Sequence, residues 1–146
     1  MDRQVRLICE SYNKLLGRRL LDEQGEHLSL SQQLDQSAII VLSHGTEADP
    51  ILNYGNQAAL ALWEMGWSEF TRMPSRQTAE PMIQEERDRF MQQVAEQGYV
   101  EGYTGIRISA SGRRFRIMDA VVWNLTDEQG AYCGQAAAFE QWEDVE

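Results

Sequence analysis

The C-terminal part of the sequence contains three β-type runs separated by two short turns, and this pattern constrains the fold more than any other feature. The runs cover residues 103–109, 113–125 and 131–142, and the turns between them contain Gly112 and Gly130. Short glycine-containing turns between such runs are typical of β-hairpins. The sequence therefore predicts a three-stranded antiparallel meander.

The remaining elements follow from periodicity and composition. Apolar residues recur every three or four positions in 5–21, which predicts an amphipathic first helix. The β-branched run 38–42 and the short run 51–54 predict two strands, and 57–65 and 83–97 predict two helices.

These elements give an α+β fold class. We expect a five-stranded antiparallel sheet with helices on one face, and the N-terminal amphipathic helix on the other face or in a dimer interface. Residues 1–30 are assigned to this helix and a linker, and residues 31–146 to the domain itself.

Composition excludes several classes of function. The 146 residues suit one domain, and a net charge of −10 opposes binding to nucleic acid. No apolar run approaches the roughly 20 residues of a membrane helix, so neither a membrane nor nucleic acid is an expected partner. The expected location is the cytoplasm. Two cysteines and two histidines, Cys9, Cys133, His27 and His44, show no metal-ligand spacing.

The order of elements resembles the PAS sensor fold, and five short segments closely resemble the MEKHLA domain, a PAS-related family with stand-alone bacterial members. The segments are VLSHG (41–45), DPILNYGN (49–56), PSR (74–76), SGRRF (111–115) and GQAA (134–137). The resemblance extends from about residue 12 to 142. It implies a non-catalytic sensory module in signalling, which binds a small organic ligand, a protein partner or both, and it leaves the cofactor unknown.

Two chromophore mechanisms of PAS relatives do not match this sequence. Flavin photosensors of the group carry their cysteine in an Asn-Cys-Arg-Phe-Leu-Gln segment, whereas Cys9 lies in the first helix and Cys133 in the last strand. Haem-binding relatives commonly use a histidine of the long helix, and 83–97 contains none. These mismatches leave a non-covalent flavin and other organic ligands as open alternatives.

The residues expected to bind a ligand lie where the helices meet the inner face of the sheet. Strict alternation places Asp119 beside Phe115 and Trp123, where an unpaired charge would cost several kcal/mol, so Asp119 needs a ligand or another partner. The alternative is a β-bulge that turns Asp119 to solvent. The predicted ligand-binding residues are His44, Asn53, Trp63, Phe70, Met91, Phe115, Asp119, Trp123 and Gln135.

Three other interpretations concern assembly and activity. The apolar stripe of the first helix predicts a homodimer. A competing function is a small enzyme that uses Asp119 and His44 as an acid–base pair in a half-open cavity. A third is a protein-interaction adaptor without a ligand. The predicted dimer-interface residues are Val5, Ile8, Tyr12 and Leu15.

Overall fold

A computed structural model describes residues 2–21, 29–80 and 84–145 of the chain. The strands form one antiparallel sheet in the order β2-β1-β5-β4-β3, with β6 also paired to β4. The predicted α+β fold, with an antiparallel sheet and several helices, is confirmed. The strands are β1 Ile40–His44, β2 Leu52–Gly55, β3 Tyr99–Ile108, β4 Arg114–Thr126, β5 Tyr132–Phe139 and β6 Gln141–Asp144.

The helices lie on both sides of this sheet. Asn56 begins α3, because its side chain accepts a hydrogen bond from the Ala59 amide. Ser29 and Gln32 form a capping box that begins α2. The helices are α1 Asp2–Leu16, α2 Leu30–Gln36, α3 Gln57–Trp63, α4 Trp67–Phe70 and α5 Gln84–Gln97, with a 3₁₀ turn at Ser75–Thr78.

Strand β6 continues β5 along the same partner strand. Val121 of β4 lies opposite Ala138 of β5, and Met118 of β4 lies opposite Gln141 of β6, so the register is unchanged across the break. The predicted run 131–142 is therefore one strand path, interrupted at Glu140.

The sheet bends where β3 and β4 change register. Asp119 has a positive φ of 53° and Gly102 a φ of 66°, and the β3–β4 pairing shifts between Val100 and Gly105. Ile117 and Ala120 are three residues apart, yet both pack in the same hydrophobic cluster. This irregularity is a β-bulge, and it moves the alternation of β4 by one residue.

The two faces of the sheet carry separate cores. On the face covered by α3 and α4, the Trp63 ring packs edge-on against Phe70, Phe115 and Phe139, with centroids 5.2–6.3 Å apart. On the face covered by α1, Trp123 packs edge-on against Tyr12 at 4.9 Å. We call these the inner and the outer face.

Helix α1 docks on the outer face of its own sheet. The Trp123 indole Nε1 donates to the Ile8 carbonyl at 3.2 Å, and the Ser11 hydroxyl accepts from the Thr126 amide at 3.1 Å. Val5, Ile8 and Tyr12 are buried in the core that α1 forms with the sheet.

The dimer-interface prediction is therefore wrong for Val5, Ile8 and Tyr12, because the chain's own sheet covers these side chains. Leu15 is half-buried and lies against Gly98, at the end of α5. The apolar stripe of α1 therefore packs against the sheet of its own chain.

Candidate functional site

Three polar side chains form a row across adjacent strands of the inner face. His44 of β1 lies directly opposite Gln135 of β5, which lies opposite Asn124 of β4. The Gln135 Nε2 donates to the Asn124 Oδ1 at 3.3 Å. We call His44, Gln135 and Asn124 the polar row.

Neighbouring residues show which way the polar row faces. Ile40 and Leu42 alternate with His44 along β1, and Phe139 alternates with Gln135 along β5; these three apolar residues belong to the inner-face cluster. All three side chains of the polar row are half-buried, and so are Leu42 and Ala137 beside them. This end of the inner face is therefore only partly covered and keeps contact with solvent.

Gly134 sets the geometry of the polar row. Its φ is 130°, and a Cβ placed on it would lie 2.1 Å from the His44 carbonyl oxygen. Only glycine permits this approach of β5 to β1. The close contact fixes Gln135 opposite His44.

The polar row offers hydrogen-bond donors and acceptors without a carboxylate. The His44 Nδ1 lies 2.9 Å from the Gly45 carbonyl, which only accepts, so Nδ1 donates and the Nε2 of the neutral ring is an acceptor. The two carboxamides add donors and acceptors. Among the described residues, no group of three or more His, Cys, Asp or Glu side chains could hold a metal ion. The arrangement is suited to a ligand with polar hydrogen-bonding groups.

Three predicted ligand residues are core residues. Trp63, Phe70 and Phe115 have no exposed surface and pack within the inner-face cluster. Their rings occupy the space that the sequence assigned to a ligand.

Strict alternation predicted that Trp123 lies on the same face of the sheet as Phe115, and this prediction is wrong. The bulge at Asp119 turns Trp123 to the outer face, where it contacts α1. By the same shift, Ala120 packs on the inner face, although the predicted alternation placed it outside.

Asp119 is exposed, so its predicted place in a cavity is wrong. The bulge that the sequence left as the alternative is present. Asp119 lies opposite Glu140 in the β4 register, and His44 lies opposite Gln135. Five residues of extended strand span about 16 Å, so Asp119 and His44 cannot act on one substrate atom as an acid–base pair.

Two more predicted residues lie elsewhere. Met91 is 56% exposed, because α5 contacts the domain through the preceding residue, Phe90, whose ring lies 5.0 Å from that of Tyr103. Asn53 lies next to α1: its Oδ1 accepts from the Ser43 hydroxyl at 2.6 Å and from the Gln4 amide at 3.3 Å.

Asn124 is the residue of the polar row that sequence reasoning missed. The sequence feature that could have identified Asn124 is its carboxamide within an otherwise apolar stretch of β4. Strict alternation placed it on the face opposite Phe115, and only the bulge at Asp119 brings it to the inner face.

Glu64 and Tyr54 are among the titratable groups outside the polar row whose pKa values are shifted. Hydrogen bonds from the Ser109 and Ser111 hydroxyls hold the pKa of Glu64 below its ordinary value. These bonds join the end of α3 to the β3–β4 turn. Burial raises the pKa of Tyr54, whose ring lies under α1.

Comparison with known families decides the identity of the domain. The MEKHLA domain model matches residues 2–144. The chain belongs to the MEKHLA domain family. The match includes α1, which shares the outer-face core with the sheet. No curated protein matches the sequence.

Solved structures with the same fold are PAS domains and light-oxygen-voltage domains. The PAS domain of a Colwellia psychrerythraea protein has a TM-score of 0.63 at 13% identity, covering 79% of this chain and 92% of that one. A light-oxygen-voltage domain studied with a flavin analogue has a TM-score of 0.60 at 16% identity, with 82% and 87% covered. An RNA-binding light-oxygen-voltage receptor has a TM-score of 0.63 at 17% identity, with 86% and 35% covered.

The MEKHLA domain thus has the fold of PAS and light-oxygen-voltage domains. None of its described helices is long and apolar enough to cross a membrane.

Proposed function

We propose that this MEKHLA domain is a non-catalytic sensory module whose polar row binds a small organic ligand. The observation that carries the proposal is the half-buried state of His44, Asn124 and Gln135 on the inner face. Elsewhere on that face, side chains such as Trp63 and Phe115 are fully buried. Apolar surroundings with a few convergent polar groups are typical of a small-molecule site.

The chemistry of the polar row suits a ligand with a flat polar edge and an apolar body. Two carboxamides and an imidazole acceptor match adjacent donors and acceptors on a heterocycle, and Leu42 and Ala137 offer apolar contacts beside them. The flavin analogue of the similar light-oxygen-voltage domain makes flavin mononucleotide a reasonable probe. Binding would be non-covalent, since neither Cys9 nor Cys133 belongs to the polar row.

The strands connect the polar row to α1. His44 follows Ser43, whose hydroxyl contacts Gln4 of α1, and Asn124 follows Trp123, which bonds to Ile8 of α1. Adjacent strand residues point to opposite faces of the sheet. A backbone shift that a ligand causes at His44 or Asn124 therefore also moves Ser43 or Trp123, and this changes the position of α1 on the outer face. A protein partner or a second copy of the chain then detects the changed surface.

Titration with flavin mononucleotide tests the proposal. We expect saturable quenching of flavin fluorescence by the wild-type protein, and at least about tenfold weaker binding by Gln135→Leu, because the ligand loses a hydrogen bond in a half-buried site. Gln141→Leu makes the same change at an exposed position of β6 and serves as the control. Equal affinities for Gln135→Leu, Gln141→Leu and the wild type would contradict the assignment, as would the absence of binding to the wild type.

A further inference from the structure

The first half of β3 is an open edge of the sheet. The strand order places β3 at one end, and its later part is covered, because Ala79 bridges Arg107 and the Glu80 amide donates to the Ile106 carbonyl. Over residues 99–104, no strand other than β4 pairs with β3 in the described part of the chain.

The backbone of this edge is oriented for pairing. The Asn124 amide donates to the Gly98 carbonyl at 2.8 Å, so the carbonyl group of Gly98 points towards β4. Alternation along an antiparallel pair then directs the N–H and C=O groups of Tyr99 away from β4, and Glu101 is the next such position, where the register shift between Val100 and Tyr103 begins. Outside the β3–β4 pairing, neither has a backbone hydrogen bond to another described residue. Such groups are ready to pair with an added strand.

A cleft of about 210 Å³ runs between this edge and α5. Its walls carry the carboxamides of Gln93 and Gln97, which are acceptors for a basic side chain, and the Glu101 carboxylate, which already pairs with Arg18. The lining residues are Gln93, Gln97, Tyr99, Val100 and Glu101.

The surroundings of the cleft are predominantly acidic. Arg18 pairs with Glu101 at 2.7 Å. Residues 84–104, which span α5 and the first half of β3, contain five acidic and two basic residues. The five acidic residues are all exposed: Glu85, Glu86, Asp88, Glu96 and Glu101. With a net charge of −10, the surface favours a basic partner over a second copy of this chain.

We propose that the first half of β3 binds an extended basic segment of a partner protein by strand addition. The segment pairs with the backbone of Tyr99 and Glu101 and lies along the cleft beside Gln93 and Gln97 of α5. Main-chain hydrogen bonds supply affinity, and the acidic surroundings supply specificity. The positive φ of Gly102 ends the regular edge, so the paired stretch is short. This surface is separate from the polar row, and its test is independent of the ligand.

The probe is a fluorescein-labelled amide of Lys-Val-Lys-Val-Lys-Val, with Glu-Val-Glu-Val-Glu-Val as the charge control. We expect saturable binding of the lysine peptide by anisotropy and at least tenfold weaker binding of the glutamate peptide. In ¹⁵N-labelled protein, the amides of Tyr99 and Glu101 should exchange more slowly with solvent when the lysine peptide is bound.

Two variants of α5 separate strand addition from general attraction between charges. Gln97→Lys places a positive charge in the cleft, and Gln92→Lys places the same charge on α5 outside the residues that line it. We expect about tenfold weaker binding for Gln97→Lys and unchanged binding for Gln92→Lys. Equal losses, no saturable binding of the lysine peptide, or protection of Tyr99 and Glu101 by self-association without peptide would each overturn the proposal.

Discussion

Replacement of Asn56 by alanine is expected to lower the free energy of unfolding by roughly 4–6 kcal/mol, because its side chain makes four hydrogen bonds to backbone groups, each contributing about 1–1.5 kcal/mol. The side chain is fully buried. Its Oδ1 accepts from the amides of Val41 and Ala59, and its Nδ2 donates to the carbonyls of Leu34 and Ile39. Asn56 thus holds α2, β1 and α3 together.

Urea unfolding of Asn56→Ala beside Asn53→Ala measures this effect. Asn53 is half-buried, and its partners Ser43 and Gln4 also bond to each other, so we expect a loss of only about 1 kcal/mol. Similar losses for the two variants would show that the four bonds of Asn56 do not have the importance assigned to them.

Gly134→Ala is expected to destabilise the domain by about 3 kcal/mol or more, through overpacking and backbone strain together. The added Cβ would meet the His44 carbonyl oxygen at 2.1 Å, and that atom belongs to the backbone of β1. The strands must separate, which also moves Gln135 away from His44.

Gly130→Ala is the matched control for this substitution. Gly130 has a φ of 80°, but a Cβ there meets nothing within 4 Å, so the variant carries only the conformational cost of about 1–2 kcal/mol. Thermal unfolding of both variants distinguishes the two effects. Equal changes in melting temperature would mean that β5 does not depend on glycine at position 134 for its approach to β1.

The order and type of the main elements could be predicted because their patterns are strong. The amphipathic period of α1 and the glycine turns of the meander each indicate one structure. The extra residue at Asp119 could not be predicted in the same way. A single bulge exchanges the faces of every residue after it, and this moved Trp123 to the outer face and Asn124 to the inner one.

The candidate site was predicted in part. His44 and Gln135 were expected at a ligand and lie in the polar row, and their role in binding stays a prediction. The stripe of Val5, Ile8 and Tyr12 was assigned to a dimer because amphipathicity shows that a face is covered, but not what covers it. In the structure, the outer face of the chain's own sheet provides that cover.

Native mass spectrometry of freshly purified protein tests most directly whether the polar row holds a small molecule. We expect the wild-type protein and Gln141→Leu to carry a mass above that of the polypeptide, either as purified or after incubation with flavin mononucleotide. The double variant Asn124→Leu/Gln135→Leu should show the polypeptide mass alone while remaining folded by circular dichroism. A bare wild-type mass under both conditions, or equal retention by the folded double variant, would contradict a ligand site at the polar row.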